Sequence, residues 1–248
     1  MLCPGCAHRP IFYVLQRLRA LVFGDIGCYT LAALPPLAAM DSCVCMGASV
    51  GMAHGLALAK TTERPIVGVI GDSTFAHSGI TGLLNMVYNG GIGTIVILDN
   101  RTTAMTGHQG NPVSGWTLEG DSAPALDLEA LCTALGVPSV TTVNPHDLPA
   151  TLQALTEETA RENLSVIVAK APCALLLKEH GDVYAVDEET CTACGACIRL
   201  GCPAIMKSAS GRAVIDISLC VGCSQCVQVC RYDAIQPAGA ACDFGGAL

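Results

Sequence analysis

The sequence predicts an α/β fold in which a mostly parallel sheet is covered by helices on both faces, followed by a small α+β module rich in cysteines. Short apolar runs with many β-branched residues, at 66–70 and 94–98, are typical of buried parallel strands. Between them, apolar residues recur at helical spacing from Ile80 to Val87. After His180 this periodicity stops, and eight cysteines fall within forty residues. The chain therefore divides into a large alternating domain and a small domain organised by its cysteines.

The alternation continues through the rest of the large domain. Residues 126–135 and 147–162 predict helices, whereas residues 140–143 and 165–169 predict strands. We place the large domain at residues 1–180, the cysteine-rich domain at 181–236, and a flexible tail rich in Ala and Gly at 237–248.

Composition narrows the possible classes of function. The chain has 248 residues and a net charge of −8, so it lacks the basic surface of a nucleic-acid-binding protein. Only 14% of its residues are charged, which favours a surface partly covered by partner subunits. The longest uncharged run, 42–59, is rich in small residues and contains His54, so we predict no membrane span. No secretory leader pattern is visible, and clustered C-x2-C cysteines favour metal binding over disulfides; we therefore predict a cytoplasmic protein.

The two cysteine runs of the small domain have the spacing of iron–sulfur ligands. Each has three cysteines at C-x2-C-x2-C spacing and a fourth cysteine shortly after, Cys202 or Cys230. Three such cysteines can wrap one [4Fe-4S] cubane, and in two-cluster ferredoxins the fourth ligand comes from the other run. Zinc is disfavoured because its sites use ligand pairs separated by longer gaps. We assign one cluster to Cys191, Cys194, Cys197 and Cys230, and the other to Cys220, Cys223, Cys226 and Cys202.

Polar residues follow two neighbouring predicted strands. Gly71, Asp72 and Ser73 come after the first strand, and Asp99 and Asn100 come after the second. Open parallel sheets bind ligands at this carboxyl edge, and a carboxylate with an amide oxygen suits Mg²⁺. A glycine there lets the backbone approach a phosphate closely. An ordinary strand-end turn would also explain the Gly-Asp pair.

The segments 71–80 and 98–109 resemble the diphosphate-binding domain of thiamine diphosphate enzymes, whose signature is Gly-Asp-Gly followed by Asn-Asn. Ser73 and Asp99 depart from that signature, while Asp72 and Asn100 match it. The resemblance implies that Mg²⁺ is bound by Asp72, Asn100 and the backbone oxygen of Thr102. It also implies that an apolar residue, Met46, supports the bent cofactor, although Met46 could equally be a core methionine. The implied cofactor-binding residues are Met46, Gly47, Gly71, Asp72, Ser73, Asn100, Thr102 and Met105.

Over nearly its whole length, the chain resembles the C-terminal half of the large subunit of indolepyruvate-type 2-oxoacid:ferredoxin oxidoreductases. The resemblance is carried by the motifs at 3–9 and 24–31, the thiamine motif and the cysteine runs. It implies a third, proximal [4Fe-4S] cluster; without it, Cys28 and Cys173 would be interpreted as small buried residues. The implied ligands of that cluster are Cys3, Cys6, Cys28 and Cys173. We assign structural roles to Cys43, Cys45, Cys132 and Cys242.

The same resemblance implies a function. With thiamine diphosphate, Mg²⁺, three [4Fe-4S] clusters and coenzyme A, the enzyme would oxidatively decarboxylate an aryl pyruvate to an acyl-CoA and pass the electrons to an external ferredoxin. Partner subunits would supply the pyrimidine-binding and gamma-type domains, because no second α/β domain is visible. We expect either a split subunit or a fragment, and Met1 just before the first motif favours the former.

Alternatives remain at this stage. Another 2-oxoacid is possible as substrate; a non-oxidative thiamine decarboxylase would not need the clusters, and a pure electron-transfer subunit would not need Asp72 and Asn100. His77 and His108, predicted in loops at the sheet edge, are candidates for proton transfer or for structural hydrogen bonds. We interpret His54, His146 and His180 as structural.

Overall fold

The structure, a computed structural model, describes residues 1–239. Six strands form one fully parallel sheet in the order β2-β1-β3-β4-β6-β5. Their bounds are β1 Leu21–Gly24, β2 Ser42–Cys43, β3 Ile66–Gly71, β4 Gly93–Asp99, β5 Ser139–Val143 and β6 Leu164–Lys170. The predicted strands at 66–70, 94–98, 140–143 and 165–169 all belong to this sheet.

Helices cover both faces of the sheet. They are α1 His8–Arg17, α2 Ala48–Ala59, α3 Asp72–Thr74, α4 Ile80–Tyr88, α5 Leu128–Ala134 and α6 Leu148–Thr159. Alternate residues of a strand point to opposite faces, so Val96 packs in one core with Phe12 and Leu155, whereas Ile95 and Ile97 pack in the other. The first core contains residues of α1 and α6, and the second contains residues of α2, α4 and α5.

The small domain contains two related halves. Its elements are β7 Tyr184–Val186, α7 Ala196–Arg199, β8 Ile205–Lys207, β9 Ala213–Ile215, α8 Gln225–Val229 and β10 Ile235–Pro237. β7 pairs with β10 and β8 pairs with β9, both antiparallel. The predicted fold class, an α/β domain followed by a small ferredoxin-like α+β domain, is confirmed.

The small domain packs against the α1 and α6 side of the sheet. Leu200, Ile205 and Val229 belong to the same buried core as Phe12 of α1. At the edge of this contact, the Gln228 side-chain amide donates to the carbonyl of His146 at 2.8 Å and accepts from the Leu148 N–H at 2.8 Å. The two domains therefore share one apolar core with a hydrogen-bonded rim.

The start of the predicted tail needs correction. Pro237 is the last residue of strand β10, and the Ala238 N–H donates to the carbonyl of Val183 at 2.8 Å. Residues 237 and 238 therefore extend the strand pairing of the small domain. The remainder of the predicted tail, from 240, and Cys242 lie outside the described residues. No helix among residues 1–239 is long and apolar enough to cross a membrane.

Gly5 lies where the large domain packs tightly against the small domain. Its φ is +68°, and a Cβ there would overlap Val221 and lie 3.3 Å from the Ala174 Cβ. Gly5→Ala should therefore lower the free energy of unfolding, by about 1–3 kcal/mol for overpacking and about 1 kcal/mol more for the left-handed backbone. Urea denaturation measures this change. Gly51→Ala, in α2 with open space around it, is the matched control and should stabilise by about 0.5–1 kcal/mol; equal effects would contradict the close packing at Gly5.

Candidate functional site

A cavity opens at the carboxyl edge of the sheet, where β3 and β4 end. We call it the sheet-edge cavity. Of the eight predicted cofactor-binding residues, all but Gly47 line it: Met46, Gly71, Asp72, Ser73, Asn100, Thr102 and Met105. The parallel pairing of β3 with β4 sets Gly71 beside Leu98, which brings the two polar segments that follow to the same edge.

Asp72 is a buried carboxylate with no cation beside it among the described residues. Its two oxygens accept the backbone N–H groups of Ser73 at 2.6 Å and Arg101 at 2.9 Å. Burial, together with the nearby carboxylate of Asp99, raises the pKa of Asp72 to about 7. The Arg101 guanidinium pairs with Asp99 instead, Nε to Oδ2 at 3.4 Å. A divalent cation at Asp72 would supply the missing positive charge, so this residue fits Mg²⁺.

Asn100 and Thr102 are buried beside Asp72. The Asn100 Oδ1 accepts the Thr102 N–H at 3.2 Å and keeps a second lone pair for a metal. The Thr103 hydroxyl donates to the Ser73 hydroxyl at 2.9 Å, which ties the loop after β4 to the loop after β3. An amide oxygen, a carboxylate and a backbone carbonyl are the hard oxygen donors that Mg²⁺ uses with a diphosphate.

Asp25, fully buried after β1, positions the segment that carries Met46. Its carboxylate accepts the N–H groups of Gly47 at 2.9 Å and Ser49 at 2.6 Å, at the start of α2. Gly47 has φ +89°, and a Cβ there would lie 2.7 Å from the Ser78 hydroxyl. Gly47 therefore shapes the turn and does not line the cavity. Met46 is 43% exposed at the cavity wall, which excludes the alternative of a core methionine.

Two cavity residues, Tyr29 and His8, were not singled out by the sequence analysis. The Tyr29 hydroxyl accepts the Gly71 N–H at 3.1 Å and donates to the Ile26 carbonyl at 3.3 Å, so it fixes the glycine turn. The His8 ring packs edge-on against Tyr29, with centroids 6.0 Å apart. Burial lowers the pKa of His8 to about 4, so it is neutral. Their only sequence signal was that they lie within the motifs at 3–9 and 24–31, which carry the family resemblance.

The two predicted catalytic histidines do not line the sheet-edge cavity. His77 is exposed and lies in a π-helical turn, Phe75–Gly79, between α3 and α4, so the predicted loop is wrong there. His108 lies in a loop with φ +63°, and its Nδ1 is buried without a hydrogen-bond partner among the described residues. The cavity wall instead contains the imidazole of His8, whose Nε2 lies 3.4 Å from the Nδ2 of Asn100, a predicted metal ligand.

A second cavity adjoins the first, and we call it the first cysteine cavity. It is lined by Cys3, Cys6, Cys28 and Cys173. The structure thus brings together four cysteines that are up to 170 residues apart in sequence. Burial raises the pKa of the Cys6 thiol to about 11, and the charges of Cys3 and Cys173 act in the same direction. Four thiolates here would need positive charge between them, and a cluster of iron ions would supply it.

Two further cavities in the small domain hold the remaining quartets. The second cysteine cavity is lined by Cys202, Cys220, Cys223 and Cys226. The third cysteine cavity is lined by Cys191, Cys194, Cys197 and Cys230. The fourth cysteine of each run thus lies with the triplet of the other run, as the spacing predicts. Within residues 1–239, no three His, Cys, Asp or Glu side chains converge on a single-ion site; each quartet surrounds a cavity instead.

The four cavities form a series. His8, Cys28 and Asn100 line both the sheet-edge cavity and the first cysteine cavity. Pro4 and Gly5, between two cysteines of the first quartet, line the second cysteine cavity. Helix α8 then links the second cavity to the third, because Cys226 lines one and Cys230, at the helix end, lines the other.

Comparisons with known proteins agree with this arrangement. The thiamine pyrophosphate enzyme family, C-terminal TPP binding domain, matches residues 25–169, and the 4Fe-4S binding domain family matches residues 213–236. Indolepyruvate oxidoreductase subunit IorA from Methanothermobacter thermautotrophicus is 44% identical over 96% of this chain, and its counterpart from Thermococcus kodakarensis is 39% identical over 95%. The chain spans about 40% of the length of each relative.

Among solved structures, the fold is similar to that of a 2-oxoglutarate:ferredoxin oxidoreductase from Magnetococcus marinus. The TM-score is 0.62 at 18% sequence identity, and the match covers 72% of this chain and 66% of that one. At this identity the likeness concerns the fold alone.

Proposed function

The chain belongs to the thiamine pyrophosphate enzymes through their C-terminal TPP binding domain and carries a 4Fe-4S binding domain, and from that premise we propose that it is the catalytic and electron-transfer part of a 2-oxoacid:ferredoxin oxidoreductase. The observation that supports this most directly is the shared wall of His8, Cys28 and Asn100 between the sheet-edge cavity and the first cysteine cavity. A non-oxidative decarboxylase would not need a cysteine quartet next to the thiamine site. A pure electron-transfer protein has no use for the buried carboxylate of Asp72.

In this proposal the sheet-edge cavity binds thiamine diphosphate through Mg²⁺. Asp72, Asn100 and the Thr102 carbonyl would hold the metal. When bound, thiamine diphosphate supplies an electron sink for the carbon that loses carbon dioxide. Tyr29 holds the Gly71 turn at the diphosphate end, and Asp25 holds the segment that presents Met46.

The three cysteine quartets would each hold a [4Fe-4S] cluster, three in all. Such clusters accept one electron at a time, which suits the removal of two electrons from a decarboxylated 2-oxoacid in separate steps. The cysteine thiolates would be the cluster ligands. One ligand is buried in the second quartet, Cys226, and one in the third, Cys197. The third cysteine cavity lies at the end of the series that starts at the sheet edge, and its Cys194 is exposed. An external ferredoxin would therefore collect electrons there.

Substrate and partners follow from the relatives and from the surface. Large apolar side chains that line the sheet-edge cavity are partly exposed: Ile26 at 40%, Met46 at 43% and Met105 at 47%. Exposed apolar groups of this size mark interfaces when they cluster. We expect partner subunits to cover them and to supply a pyrimidine-binding domain and a gamma-type domain. The named function of the relatives favours indolepyruvate as the 2-oxoacid. We propose coenzyme A as the acyl acceptor.

Removal of the Asp72 carboxylate tests the metal site. Asp72→Ala should weaken thiamine diphosphate binding more than about 100-fold, because the diphosphate loses its Mg²⁺ bridge. Calorimetric titration of thiamine diphosphate with Mg²⁺ into the complex measures this change, and iron content should stay normal. Asp121→Ala, an exposed loop residue, is the matched control. Wild-type affinity in the Asp72 variant would refute the site.

Iron analysis tests the first cysteine cavity. The wild-type chain should contain about twelve iron atoms, four for each of three clusters. Cys28→Ala or Cys173→Ala should lose about four of these and keep the rest. Cys132→Ala, a buried cysteine outside every quartet, should lose none. A wild-type content near eight would show that the proximal cluster is absent.

Reconstitution tests the activity. The isolated chain should not catalyse decarboxylation, because the partner domain that would cover the open side of the sheet-edge cavity is missing. With its partner subunits it should reduce ferredoxin, or a viologen dye, anaerobically, in a reaction that depends on an aryl pyruvate and on coenzyme A. Full activity of the isolated chain would contradict the need for partners. Aldehyde release without dye reduction would instead establish a non-oxidative decarboxylase.

A further inference from the structure

The largest fully buried side chain of the described structure belongs to an arginine, Arg9, in the first turn of α1. Buried arginines are normally paired with carboxylates, because an unpaired charge in the interior costs several kcal/mol. Four ion pairs occur within residues 1–239, and none of them includes Arg9. Its guanidinium is instead surrounded by carbonyl oxygens, and its Nε–H has no partner among the described residues.

The position of Arg9 connects two of the cysteine quartets. Its terminal nitrogens donate to the carbonyls of Leu2, at 2.9 Å, and Cys3 on one side. On the other side they donate to the carbonyl of Gly201, the residue before Cys202. Cys3 belongs to the first cysteine cavity and Cys202 to the second. The guanidinium therefore lies between the loops that shape both cavities.

The surrounding contacts place this charge beside both quartets. Arg9 holds the carbonyl of Cys3 on one side and that of Gly201, next to Cys202, on the other. Gly5, between Cys3 and Cys6, packs against Val221, between two cysteines of the second quartet. A positive charge without a carboxylate partner thus lies between two sets of cysteines.

We propose that Arg9 is a shared counter-charge and positioning residue for the clusters of the first and second cysteine cavities, and that it makes both clusters easier to reduce. The inference rests on the proposed function, since it requires clusters in both cavities. Each reduction adds one electron, and hence one negative charge, to a cluster. A buried positive charge nearby stabilises the reduced form more than the oxidised form, and so raises the reduction potential.

The third cysteine cavity provides an internal comparison. Arg199 donates to the carbonyl of Cys194 at 3.2 Å, a contact of the same kind, but Arg199 is exposed to solvent. Water and salt screen an exposed charge strongly. The effect of Arg9 should therefore be confined to two of the three clusters.

Two substitutions separate charge from hydrogen bonding. Arg9→Gln removes the charge and keeps an amide donor, whereas Arg9→Lys keeps the charge and loses the planar fork. The matched control is Arg64→Gln, since Arg64 also donates to two carbonyls, those of Arg19 and Ala20, both at 2.8 Å, but lies away from the cysteines. Each full-length, iron-loaded protein is titrated anaerobically with dithionite, and the reduced clusters are quantified by electron paramagnetic resonance.

For two of the three couples, Arg9→Gln should lower the reduced-to-oxidised ratio at fixed potential by about tenfold or more, which is about 59 mV for a one-electron couple. Arg9→Lys should leave the two couples nearly unchanged. The third couple, and all couples of Arg64→Gln, should match the wild type. If Arg9→Gln fails to retain iron in these two cavities while Arg9→Lys retains it, the counter-charge role is also supported.

Three results would overturn the inference while leaving the proposed function intact. They are unchanged potentials in Arg9→Gln, equal shifts or equal iron loss in the Gln and Lys variants, and a shift of all three couples together. Equal effects of Arg9→Gln and Arg9→Lys would show that the guanidinium acts through its hydrogen bonds and not through its charge. If the wild-type protein incorporates no cluster in either cavity, the proposed function fails, and this inference fails with it.

Discussion

The first turn of α1 and the loop before it contact buried polar groups of both the sheet edge and the small domain. His8 faces Asn100 and Tyr29 at the sheet edge. Arg9 holds the carbonyl of Gly201 in the small domain, and the Gln225 amide reaches back to the carbonyl of Cys6 at 3.2 Å. A buried polar group without a partner costs about 1–3 kcal/mol. These contacts therefore fix the segment and, with it, the spacing of the cavities that it separates.

Buried negative charge is the second constraint on the molecule. Asp25 and Asp72 are both buried carboxylates, and each accepts two backbone N–H groups. The N–H groups of Gly47 and Ser49 lie at the start of α2, where unpaired donors and the helix dipole favour an anion. Burial still raises the pKa of both carboxyls. Asp25 does not line the sheet-edge cavity and holds the start of α2 through hydrogen bonds, whereas Asp72 lines that cavity, where the proposed function has it bind a cation.

Local sequence patterns were enough for four of the six strands of the sheet and for the grouping of two cysteine quartets, whereas the short strands β1 and β2 were not predicted. Strands such as β3 and β4 are visible in the sequence as short apolar runs. The spacing of the C-x2-C-x2-C triplets is by itself typical of [4Fe-4S] ligands. The quartet of Cys3, Cys6, Cys28 and Cys173 has no such local signal, because tertiary folding alone brings Cys173 to the N-terminal loop. Only the family resemblance pointed to it.

The residues that sequence reasoning missed share a different property. His8, Arg9 and Tyr29 act through single long-range contacts, to Asn100, Gly201 and Gly71 respectively. No periodicity or spacing marks such contacts. His77 was also misplaced: a π-helical turn joins α3 to α4 where a loop was predicted.

The shared core has a consequence for how the parts work together. Leu200 and Val229 of the small domain pack with Phe12 of α1, which also packs against the sheet. Close-packed interiors transmit displacement because they contain little free volume. A change in this core would therefore alter the distance between the second cysteine cavity and the sheet edge. Under the proposed function, electron transfer would depend on that distance, whereas binding of each cofactor would depend on its own ligands. The core between the domains would then set the coupling between the sites without contributing a ligand to either.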